Sequence, residues 1–195
     1  MNANNIFPLP PDIAIAYFQL GLLSSTDLVT LADTWLNQGI YTDSINYLQM
    51  DKDPIMSEAS VLFLKAMEEM DVNVPTRVAA AWLVTKDIME RIVSESIDVM
   101  EGVNFIYWDV HHEIDTELPD GKYLGSNLKL EQVFCWLREV WDCRDGSRLI
   151  CHEDLPRDEA EQKFLSYLLD ECQKWLEVNT EQVKQHKTTQ QTRIE

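Results

Sequence analysis

The chain has 195 residues, with 34 Asp and Glu against 16 Lys and Arg, for a formal charge of −18. Nucleic-acid affinity comes largely from Lys and Arg displacing condensed counterions, so neither nucleic acid nor an anionic membrane is an expected partner. The same field attracts a basic protein and speeds its encounter over a Debye length of about 8–10 Å.

With 45% apolar residues the chain has material for a sizeable core. Length and patterning predict a single helical domain over residues 1–178 and a polar, flexible tail over 179–195. The acids are spread along the chain, with ten against two bases in residues 1–75; only residues 179–195 hold more bases than acids. Cys135, Cys143, Cys151 and Cys172 form no C-x-x-C pair and read as reduced thiols of a cytoplasmic protein. Met1 to Leu23 contains no Lys or Arg to open a signal peptide, and no apolar run approaches the roughly 20 residues of a membrane span.

In chain order, Pro8, Pro10 and Pro11 with Asp12 open a helix that is apolar on nearly every side from Ile13 to Leu23, and so buried. Ser25 or Thr26 caps a second, in which Leu28, Leu31, Ala32, Trp35 and Leu36 share one face and Gly39 is the stop. A short helix over Thr42 to Met50 follows. Asp53-Pro54 then marks the start of one carrying Ile55, Ala59, Leu62, Phe63, Ala66, Met67 and Met70. Thr76 to Ser96 is helical, and Val78 to Val84, apolar all round, lies centrally.

Ile97 to Ile114 fits two readings. Val103, Ile106, Tyr107, Val110 and Ile114 share a helical face, while Phe105 to Val110 is rich in strand formers. Helix is preferred, because a lone strand has no partner. Leu118 to Asn127 is a loop with Pro119-Asp120-Gly121 at its centre. Leu128 to Cys143 and a helix from Asp158 to about Leu176 complete an all-α bundle of seven or eight helices, joined as antiparallel hairpins.

No G-x-S-x-G, Walker A or G-x-G-x-x-G sequence is present, so serine-hydrolase and nucleotide-loop readings have no foothold, and the expectation is a non-enzymatic protein without a cofactor. A weaker alternative is a metal-assisted hydrolase. His111 and Asp115, at helical i, i+4 spacing, would combine with His152, whereas adjacent His111 and His112 diverge by about 100°. A third reading is a helical adaptor or oligomer subunit, with Trp136 and Val140 widening the apolar face of their helix.

The most distinctive surface is the acidic stretch Asp109 to Asp120. Asp109, Glu113, Asp115, Glu117 and Asp120 form a docking face for a basic partner, with Tyr123, Tyr107 or Trp108 supplying apolar contact.

The size, the acidity and the elements Glu101-Gly102-Val103 to Trp108, Leu130 to Trp141 and Asp158 to Leu176 resemble small all-helical bacterial immunity proteins. These neutralise the toxin domains of polymorphic toxin and contact-dependent growth inhibition systems. The resemblance implies a cytoplasmic, non-enzymatic protein that binds one cognate toxin domain, often a nuclease, and covers its active site. It supplies no catalytic residues.

Overall fold

Proline's fixed φ and missing N–H suit the first turn of a helix, and α1 (Pro11–Gln19) starts at Pro11. The structure is a computed structural model that describes residues 7–114 and 123–188, with side chains described through Thr180. Every regular element among these residues is helical and none is a strand, as the patterning predicts. Ala14 to Tyr17 are consecutively buried, so α1 hides more than one face. The described residues divide into two compact units, one up to Ala80 and one from Ala81 onward.

The first unit packs α2 (Ser25–Asn37), α3 (Asp43–Gln49) and α4 (Met56–Glu69) against one another. The cap of α2 is Ser24, one residue before those predicted. Asp27 N–H donates to Ser24 Oγ and Ser24 N–H donates to Asp27 Oδ2, a reciprocal box that satisfies two backbone donors. Ser25 is engaged elsewhere, donating its hydroxyl to Pro54 O at 2.7 Å.

Leu28, Leu31, Ala32 and Trp35 are buried as their spacing requires. Trp35 stacks on Phe63 with centroids 6.0 Å apart and donates its indole N–H to Leu9 O at 2.8 Å. A bulky aromatic is thus buried with its only donor satisfied. Asp53-Pro54 does not cap α4. Asp53 N–H folds back to Asp51 Oδ1, and the helix starts after Ile55 with no side-chain cap. Glu69 instead holds the first turn of α3, accepting from Ser44 N–H at 3.1 Å and Ser44 Oγ at 2.9 Å.

α5 (Arg77–Val93) begins in the first unit and continues in the second, and Ala79 to Val84 are all buried. The ambiguous stretch is helical: α6 (Val99–Phe105), a π turn over Ile106–His111 and α7 (His112–Ile114) run on without a break. Asp98 starts it by accepting from Met100 N–H at 2.9 Å and Glu101 N–H at 3.1 Å. Val103, Ile106, Val110 and Ile114 are buried on the predicted face.

A 3-10 turn, Ser126–Leu128, leads into α8 (Glu131–Asp145), whose main partner is α9 (Arg157–Thr188). Arg157 closes this pair by donating to Asp142 O at 2.8 Å, Gly146 O at 3.0 Å and Ser147 O at 2.6 Å, so its fork satisfies carbonyls at the end of α8. Trp136 packs on Phe164 and Tyr167 of α9, and Val140 is buried. The apolar width that suggested an outward oligomer face is therefore used within this helix pair.

α9 continues to Thr188, beyond the point where a tail was predicted to begin. Its Asn179 is buried and donates to Trp175 O at 2.9 Å. Among the described residues no helix is long and apolar enough to cross a membrane.

Candidate functional site

The π turn is the one irregularity in an otherwise α-helical stretch, and such turns are frequent at functional sites. His112 N–H reaches back five residues to Tyr107 O. Around it lies an aromatic ridge. Tyr107 meets Trp108, Phe134 and Trp141 edge-on, with centroids 4.7, 5.0 and 5.2 Å away. Trp108 stacks on Trp141 at 6.1 Å and 25°. Trp141 is held in turn by its indole N–H, which donates to Asn104 Oδ1 at 3.2 Å.

The result is a large side chain that is ordered yet uncovered: Trp108 is 53% exposed. Its sequence neighbour Asp109 is half-buried, and Glu113 is exposed one helical turn further on. Of the remaining predicted docking residues, Asp115, Glu117 and Asp120 lie outside the described residues, and Tyr123 is 62% exposed.

Burial raises the Asp109 carboxyl from its ordinary value, and the Glu113 charge adds to the rise. The folded state therefore holds its proton to higher pH than the unfolded chain, and stability falls as pH climbs from the unfolded value, about 3.9, through the folded one. Asp109→Asn removes that loss. The variant is expected to resist urea better than the parent at neutral pH, with the gap closing below about pH 4, where both carboxyl forms are protonated. A gap that does not change with pH in a denaturation series would contradict this.

The proposed histidine ligands occupy separate settings. His111 is buried with its ring edge-on to Phe134 at 5.3 Å. His152 lies against Phe164 and Tyr167, its Nε2 3.3 Å from the Tyr167 hydroxyl. Asp115 falls outside the described residues, and among those described no three His, Cys, Asp or Glu side chains gather as a metal site. The cysteines carry no disulfide. Burial pushes the thiols of Cys135 and Cys143 up, and that of Cys172 up to about 12, so they are poor nucleophiles at neutral pH.

Behind Phe134 lies a feature the pattern of apolar residues did not announce, a pocket of about 400 Å³. Tyr123, Leu124 and Ile150 form its apolar rim, and Glu131, Arg138, Glu139 and Asp142 of α8 line it. Glu139 is only 3% exposed. Its Oε2 accepts from Ile150 N–H at 3.3 Å and more loosely from Cys151 N–H at 3.5 Å. The available signal was a glutamate one turn before the buried Cys143 and next to the buried Val140, on the border of the apolar face.

No protein-family model, no curated protein and no solved structure matches this chain.

Proposed function

We propose that the chain is a non-enzymatic binding protein that docks a basic protein domain on the ridge formed by Tyr107, Trp108, Trp141, Asp109 and Glu113. The observation that carries this reading is Trp108, exposed but held in place by Tyr107 and Trp141, with Asp109 next to it in sequence and Glu113 about one turn further on. Interface hot spots are enriched in tryptophan and ringed by polar groups, and a pre-ordered ring loses little freedom on binding. The overall charge of −18 supplies the long-range attraction. The resemblance to immunity proteins supports a cognate toxin domain as the partner and the cytoplasm as the compartment.

The two parts of the ridge have different effects. Exposed ion pairs contribute about 0.2–1 kcal/mol each, so Asp109 and Glu113 act mainly on encounter rate and salt dependence. Trp108 supplies the short-range contact. The test is to capture partners from the source organism at low and high salt, identify the retained domain, and measure its affinity for variants. A basic domain released by salt is expected. Trp108→Ala weakens its binding by about 2 kcal/mol, roughly thirtyfold, chiefly through faster dissociation. Asp109→Lys with Glu113→Lys slows association and flattens the salt dependence. A captured domain whose affinity is the same for all three proteins would overturn the assignment of this face.

A further inference from the structure

The pocket beside the ridge has a composition of its own. Three carboxylates, Glu131, Glu139 and Asp142, line it together with one cation, Arg138, and the aromatic residues Tyr123 and Phe134. Glu139 is the informative member. Its Oε2 alone accepts hydrogen bonds, from the Ile150 and Cys151 amides. The buried side-chain atoms left unsatisfied among the described residues are Thr85 Oγ1 and Ser126 Oγ, so Glu139 Oε1 keeps contact with solvent. Oε1 has no hydrogen-bond partner among the described residues. Arg138 does not supply one, since neighbouring side chains on a helix diverge by about 100°. About 400 Å³ is at the small end for a ligand site and suits a single side chain rather than a large cofactor.

We infer that this pocket receives an arginine side chain of the basic partner, with the guanidinium donating to Glu139 Oε1 and lying against the aromatic walls. The inference rests on the docking reading above and adds to it a specific anchor. Arginine fits better than lysine. Its planar fork satisfies a carboxylate with directed N–H groups and stacks on ring faces, whereas an ammonium is a compact, more strongly hydrated charge. Phe134 joins the two sites, since one ring lines the pocket and also meets Tyr107 of the ridge.

The test is a titration of the full chain, labelled with ¹⁵N, with the tripeptide acetyl-Gly-Arg-Gly-amide and with its citrulline counterpart, which keeps the shape and loses the charge. The arginine peptide is expected to give saturating amide shifts at Tyr123, Glu139 and Ile150, and the citrulline peptide to bind at least tenfold more weakly. Glu139→Gln abolishes the arginine preference. Asp142→Asn, which disturbs no buried bond, lowers the arginine affinity severalfold and keeps the test open if the Glu139 variant fails to fold. Equal binding of the two peptides, or shifts confined to residues 107–113, would overturn the assignment. That outcome leaves the ridge reading intact, whose own failure shows as unchanged partner affinity in Trp108→Ala.

Discussion

Replacing Trp175 with alanine lowers the stability of the chain by about 3–5 kcal/mol, the largest single-residue loss expected. Trp175 is 3% exposed and stacks on Trp82 with centroids 5.7 Å apart. Its indole N–H donates to Leu128 O at 2.8 Å, tying the last helix to the 3-10 turn that precedes α8. The substitution opens a cavity, strips the face of Trp82 and leaves the Leu128 carbonyl without its donor. Trp175→Phe separates these effects. It retains most of the apolar area and loses the hydrogen bond, at a cost of about 1–3 kcal/mol. Urea denaturation checks both. An alanine variant within about 1 kcal/mol of the parent would show that α9 does not depend on this contact.

Gly125→Ala costs about 2–5 kcal/mol, from two causes that add. Gly125 has φ +80°, where a side chain brings about 1–2 kcal/mol of backbone strain. An added Cβ would also lie 2.6 Å from Phe134 Cδ2, and overpacking of this kind adds typically 1–3 kcal/mol. Gly146→Ala is the control. Its φ is +88° but nothing lies within 4 Å, so only the strain of about 1–2 kcal/mol remains. Equal losses in the two variants would mean that Phe134 moves aside at no cost. Because Phe134 is shared by ridge and pocket, the Gly125 variant also alters the near-ultraviolet signal of the aromatic cluster, and the Gly146 variant does not.

The acid dependence of stability also involves Asp109. A carboxylate that is costly to ionise in the folded state, such as Asp109, is kept at the expense of stability.

Helix content and the buried faces were legible in the sequence by itself, because both depend on local spacing. Leu28, Leu31, Ala32 and Trp35 repeat at helical intervals and are buried, as are Val103, Ile106, Val110 and Ile114. Of the acidic stretch, Glu113 is exposed while Asp109 is half-buried, a difference that helical spacing alone does not carry. Helix starts were read less well. Ser24, Ser25 and Thr26 are chemically alike as caps, and only the return bond from Asp27 and the reach of Ser25 to Pro54 O distinguish them. The last helix was ended too early, because Asn179 reads as polar and its burial depends on what surrounds α9.

The pocket, the ridge and the fate of Trp136 were decided by tertiary structure alone. Glu139 finds its amide donors eleven and twelve residues away, Trp141 finds Asn104 thirty-seven away, and Trp175 finds Leu128 forty-seven away. Periodicity records which side of a helix avoids water, a local property of the chain. Which ring meets which carbonyl, and which carboxylate is left with an open oxygen, is set when helices distant in sequence pack together, and no spacing within one helix carries that information.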